Sequence, residues 1–199
     1  MAGVWIFFIL FLGIFFWSFL PVPGIEKTFP VDFSQPIFQY QDCQIENTFE
    51  RITFQIKHPA FVNFGSPANF EVILHKEFAG NSSSEIGCTY TVELLLEMED
   101  ALIEPNNRLI QLVADSKSQL FVFEVQPVKY ERRKAGELWI YWNSTSPGTQ
   151  AANRLPLFVI PVEIEIRSLF GIPLIWLRIG TLAAIFILLI LKKLNHRPG

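Results

Sequence analysis

Hydrophobic residues are distributed along this chain in two ways. At both ends they run together, and between the ends they alternate with polar residues. Val4 to Leu20 is apolar apart from Gly13 and Ser18, and Ile172 to Leu191 is largely apolar around Arg178. In between, Ile52, Phe54 and Ile56 recur with period two, as do Phe70, Val72 and Leu74. The same spacing returns in Val92, Leu94, Leu96 and Met98, then in Phe121, Phe123 and Val125. Leu138, Ile140 and Trp142 repeat it, and Val162, Ile164 and Ile166 close the series. Period-two alternation is the mark of a half-buried strand. Glu93, Glu97 and Glu99 fall opposite the apolar set of their run with Leu95, and Glu163 and Glu165 do the same in theirs, so these read as solvated faces. Turn chemistry separates the runs at His58-Pro59, Phe64-Gly65-Ser66-Pro67, Ala79-Gly80-Asn81-Ser82, Glu104-Pro105-Asn106-Asn107 and Ser146-Pro147-Gly148.

The pattern predicts a mainly β domain over residues 25–167, an antiparallel sandwich of about seven or eight strands. Residues 1–24 form an N-terminal hydrophobic helix, 168–191 a juxtamembrane linker and transmembrane helix, and 192–199 a basic tail. Phe121-Val122-Phe123-Glu124-Val125-Gln126-Pro127, followed by Gly136-Glu137-Leu138-Trp139-Ile140, resembles a hairpin common in immunoglobulin-like domains of surface proteins. The resemblance covers about a quarter of the chain, and the cysteine–tryptophan–cysteine spacing of antibody domains is absent. It implies an immunoglobulin-like sandwich and no particular activity.

The first apolar run would extend roughly 25 Å as a helix, just short of a ~30 Å hydrocarbon core. No Lys or Arg precedes it, no Ala-x-Ala-like site follows it, and Pro21 and Pro23 stop it. It reads as an uncleaved signal-anchor, with a cleaved signal as the alternative. The second run reaches roughly 30 Å, with Trp176 placed as an interfacial aromatic. Lys192, Lys193 and Arg197 follow it and assign the C-terminus to the cytoplasm. The domain between is then extracytoplasmic, on a plasma or other secretory or cell-envelope membrane. Arg178 has two readings: a boundary residue reaching lipid phosphates, or a partner to an acidic or carbonyl group on another membrane subunit.

Composition narrows the function. The net charge of −3 carries no basic stripe for nucleic acid. His58, His75 and His196 share no ligand spacing with cysteine or carboxylate, so no metal site is expected. No nucleophile elbow, phosphate loop or paired-histidine helix occurs, so neither a catalytic residue nor a cofactor is assigned and the chain reads as non-enzymatic. Cys43 and Cys88 are the two cysteines, and an oxidising compartment would pair them. Asn81-Ser82-Ser83 and Asn143-Ser144-Thr145 match the glycosylation acceptor pattern in expected loops. Arg132, Arg133 and Lys134 form a basic turn suited to anionic headgroups or an acidic partner. Trp139 and Tyr141, opposite the core set of their strand, are candidate surface-binding residues. The expected function is an accessory or assembly subunit of a membrane complex, contacting the bilayer and another membrane protein. The alternative is a cell-surface adhesion module for an extracellular ligand or carbohydrate.

Overall fold

In the computed structural model of the chain, the described residues are 2–20, 22–32, 49–78, 88–113, 116–146, 148, 153–169 and 171–195. Helix α1 covers Ala2–Trp17 and α2 covers Leu174–Asn195. The strands between them are β1 (Gly24–Pro30), β2 (Phe49–Pro59), β3 (Phe61–Asn63), β4 (Ala68–Phe78) and β5 (Thr89–Met98). They continue with β6 (Ala101–Glu104), β7 (Arg108–Leu112), β8 (Ser118–Pro127), β9 (Arg133–Thr145) and β10 (Asn153–Arg167). The fold is mainly β, and the described strands form two five-stranded sheets. The first sheet runs β1-β2-β4-β8-β6 and the second β3-β10-β9-β5-β7.

The alternating residues do what their period demands. Phe54, Phe70, Phe121 and Phe123 of the first sheet are no more than 1% exposed, as are Leu94, Ile140, Trp142 and Ile164 of the second. Rings meet between the sheets, Phe49 against Trp142 at 5.7 Å and Phe54 against Phe158 at 6.1 Å between centroids. Both sheets therefore bury one core. Each large apolar side chain so enclosed contributes about 1.5–3 kcal/mol relative to exposure.

Four strands carry no alternation signal: β1, β3, β6 and β7. All four are sheet edges. An edge strand has one neighbour and half its surroundings in solvent, so a strict apolar face is not imposed on it. The edge β3 also departs from the expected antiparallel order, pairing in parallel with the end of β10 through Phe61, Val62 and Asn63. Among the described residues β3 covers only Glu165–Arg167 on that side of β10, and Pro156 and Pro161 are tolerated on the remainder.

The end of the domain from which α2 departs is tied together by backbone. The Phe64 amide donates to the Arg167 carbonyl at 2.8 Å, and the Phe64 carbonyl accepts from the Leu174 amide at 3.1 Å. Gly65 has φ +73°, and a Cβ there would sit 3.0 Å from Pro173 Cβ. The β domain thus runs into α2 through a short, hydrogen-bonded junction. Among the described residues, Leu174–Leu191 is the one helical stretch long and apolar enough to cross a membrane, while Trp5–Trp17 is apolar but shorter.

Gly136 supplies a test of the sheet packing. A Cβ on it would lie 2.4 Å from the Glu97 carbonyl oxygen, a backbone atom that cannot swing away. Gly136→Ala is expected to destabilise the β domain by about 1–3 kcal/mol. Gly180→Ala, whose added Cβ meets nothing within 4 Å, should leave the thermal unfolding of the domain unchanged. Melting the two purified variants beside the wild type checks both.

Candidate functional site

The outer face of the second sheet brings together residues distant in sequence. Antiparallel register aligns Ile110, Glu93, Tyr141 and Pro156 in one row across β7, β5, β9 and β10. Arg108, Leu95, Trp139 and Val159 form the next row, and Leu112, Thr91, Asn143 and Arg154 the third. Trp139 and Tyr141 lie parallel at 6.2 Å between ring centroids. Arg154 crosses the Tyr141 ring with its guanidinium 3.7 Å from the centroid. It then reaches Glu93, donating from Nη2 to Oε1 at 2.8 Å and from Nε to Oε2 at 3.0 Å. Arg108 Nε donates to Glu93 Oε1 at 2.7 Å from the other side.

Glu93 is therefore not on a solvated face, as its alternation implies: its side chain is 2% exposed beneath two arginines that remain about half exposed. Burial pushes the carboxyl pKa up, but hydrogen bonds and charge from Arg108 and Arg154 outweigh burial and hold it below the usual glutamate value. Ile110 and Val159, 51% and 47% exposed, flank this cluster with apolar surface. Trp139 and Tyr141 are half-buried, and Trp139 Nε1 is buried without a hydrogen-bond partner among the described residues. Sequence reading finds the two aromatics and misses Glu93, Arg108 and Arg154. Only strand register brings β7 and β10 to the same spot, and β7 has no periodic signal of its own.

The helices supply a second cluster. Arg178 of α2 donates from Nη2 to the Ser18 carbonyl at 2.7 Å and from Nε to Ser18 Oγ at 3.3 Å. Its guanidinium lies 4.2 Å from the centroid of Phe19. Helix C-termini leave carbonyls unpaired and carry partial negative charge, so a cation is favoured there. Of the two readings of Arg178, the second names a carbonyl on another subunit, and here Ser18 of the same chain supplies a carbonyl. Trp176 is 64% exposed, near the head of α2.

The basic turn lies at the domain end nearest α2, where the Ile166 amide donates to the Arg132 carbonyl at 2.8 Å. Its three residues differ. Arg132 is exposed, and Arg133 is exposed with Glu163 at 3.4 Å. Lys134, expected to be available to headgroups or a partner, is instead buried, its Nζ 2.6 Å from Glu131 and 3.3 Å from Asp100. The Glu131 hydrogen bond is the main cause that raises its pKa, and the Asp100 hydrogen bond adds to it against the effect of burial.

Beside this end, an open cleft of about 510 Å³ is lined by Lys57, His58, Asn63, Asn69, Glu71 and Glu124 among others. His58 stacks on Phe70 at 5.4 Å, and burial lowers its pKa. Its Nδ1 lies 3.1 Å from the Pro59 carbonyl. His75 is bonded to Gln55 at 3.0 Å. Among the described residues no group of His, Cys, Asp and Glu is arranged to hold a metal ion. Asn143 stands inside β9 rather than in a loop, buried, with Nδ2 donating to Thr91 Oγ1 at 3.3 Å, a poor position for a glycosylation acceptor. Asn81 and Cys43 lie outside the described residues, and Cys88 immediately precedes β5.

The chain matches no protein-family model and no curated protein sequence.

The Glu93 cluster predicts a pH dependence. Its folded-state pKa is depressed, so the ionised carboxylate contributes stability above the ordinary value of 4.5. That contribution is lost as pH falls through the lower folded value. Glu93→Gln should be less stable than wild type at neutral pH by about 1.5–3 kcal/mol, the range for hydrogen bonds to charged groups. The two melting temperatures should converge as pH is lowered below 4.5. Thermal unfolding of both proteins from neutral to acid pH checks this, and a constant difference across the range would contradict it.

Proposed function

We propose that this chain is a non-enzymatic, membrane-anchored protein whose extracytoplasmic β-sandwich binds another protein, as an accessory or assembly subunit of a membrane complex. The observation that carries the reading is the outer face of the second sheet. Two half-exposed arginines, a tryptophan and a tyrosine stand beside exposed Ile110 and Val159. Protein interfaces favour Trp, Tyr and Arg, and hot spots concentrate in the same residues. Arg108 and Arg154 carry one more charge than Glu93 neutralises, which suits a partner offering carboxylates or carbonyls.

The membrane placement rests on α2. Leu174–Leu191 would extend about 27 Å, close to a hydrocarbon core. Lys192 and Lys193 after it argue for a cytoplasmic C-terminus. The C-terminal end of α1 meets Arg178 near the head of α2, which favours a retained α1 with its N-terminus on the cytoplasmic side. Two five-stranded sheets over one core are compatible with an immunoglobulin-like sandwich, from which the curled sheets and the parallel β3–β10 pair depart.

The alternative, a carbohydrate-binding or other adhesion module, needs a free aromatic face. Arg154 already covers Tyr141, and Trp139 is half-buried, so the protein-binding reading is preferred.

An extracytoplasmic domain also favours a Cys43–Cys88 disulfide, worth roughly 4 kcal/mol in the chain-entropy account. Peptide mapping without reductant should recover the two cysteines linked, and alkylation of both as free thiols would exclude the bond. For the function itself, mild-detergent purification from native membranes with quantitative mass spectrometry is the test. Ile110→Asp and Val159→Asp, both at exposed positions, should each lower recovery of the co-purifying partner roughly tenfold, or about 1.4 kcal/mol. Loss of the partner in Arg178→Leu but not in these variants would move the interface to the helices. Absence of any stoichiometric partner would remove the reading.

A further inference from the structure

We infer that the loop joining β8 to β9 is a lipid-contacting element, with Val128 and Tyr130 inserted among the phospholipid headgroups and Arg132 facing their phosphates. The inference rests on the reading of α2 as a transmembrane helix and adds a surface which that reading does not require.

Three observations place the loop. Tyr130 packs edge-on against Phe64 at 5.7 Å, and the Phe64 carbonyl holds the Leu174 amide at 3.1 Å. One residue therefore separates the Tyr130 ring from the first turn of α2. The apolar span of α2 is only about 27 Å, so the hydrocarbon boundary falls close to Leu174 and leaves no length for the domain to stand away from the bilayer. The loop must then lie at headgroup depth, level with exposed Ile172 and Trp176.

The side chains fit that depth. Val128 and Tyr130 are 56% and 45% exposed, although both sit beside a well-packed core. The other charges of the loop are paired outside it: Lys129 bonds Asp100 at 2.8 Å, and Glu131 bonds Lys134 at 2.6 Å. Arg132 has no ionic partner among the described residues and is exposed. The outward surface thus carries a valine, a tyrosine and the Arg132 guanidinium, beside Lys129 and Glu131, which are exposed but ion-paired. Tyrosine is enriched where one end is apolar and the other wet, and arginine matches phosphate oxygens in its donor geometry.

The test uses the full chain in nanodiscs of phosphatidylcholine and phosphatidylglycerol. Single probes are attached through Val128→Cys, Tyr130→Cys, Leu112→Cys and Ile187→Cys, with labelled wild type as the background. Lipids carrying a nitroxide near the headgroup, or deep in the chain, serve as quenchers. The inference expects the probes at 128 and 130 to lose most of their fluorescence with the shallow quencher. The probe at 112, exposed at the opposite end of the second sheet, should keep its own, and the probe at 187 should respond to the deep quencher. Arg132→Glu should reduce shallow quenching at 130. If 187 is quenched while 128 and 130 are not, the loop inference is overturned and the membrane reading stands. If 187 is not quenched, the membrane reading fails and the loop inference with it.

Discussion

A guanidinium placed one turn inside an apolar helix must find oxygen, and the arrangement of both helices follows from how Arg178 does so. It takes the Ser18 carbonyl and hydroxyl at the end of α1, where unpaired helix carbonyls and the helix dipole both favour a cation. That bond holds α1 against α2. The first turn of α2 is held in turn by Phe64, and Phe64 by the last residue of β10. The β domain, its lower rim and the two helices are therefore linked by a short series of backbone-anchored contacts. A charge that looks like an invitation to another subunit is met inside the chain by Ser18.

The two buried charge clusters of the domain show the same logic in water. Glu93 lies under Arg108 and Arg154, and Lys134 lies between Asp100 and Glu131. Each buried charge is met by opposite charges on neighbouring strands or turns, so neither is left unpaired at the cost such burial would carry. The difference lies in what surrounds them. Around Glu93 the arginines remain half exposed beside aromatic and aliphatic surface, whereas around Lys134 the charges close on each other.

Much of the fold was legible because its central strands are buried on one face. Phe54, Val72, Leu94, Phe123, Ile140 and Ile164 could be assigned inward from period two alone, and all are enclosed. The edge strands were not legible, since solvent on one side removes the constraint that writes the pattern. For the candidate site, Trp139 and Tyr141 stood out by residue type and face. Glu93 did not, because its alternation is that of an ordinary exposed glutamate. Arg108 and Arg154 cover it, and Arg154, 61 residues away, reaches it only across the intervening β9. Lys134 was misread for a similar reason: a run of basic residues says nothing about which member turns inward. Asn143 was expected in a loop because β9 continues past its periodic run to Thr145.

The proposed location and lipid contact rest on α2 as a membrane span, and the pairing of α1 with α2 adds the proposed side of the N-terminus. The most direct measurement is protease protection of sealed, right-side-out membrane vesicles from cells expressing the full chain with a distinct epitope at each terminus. External protease is predicted to degrade the β domain while both epitopes survive on small membrane-protected fragments, the N-terminal one still joined to α1. An N-terminal epitope missing from the membrane-bound chain before digestion, or either epitope removed by external protease, would contradict the account.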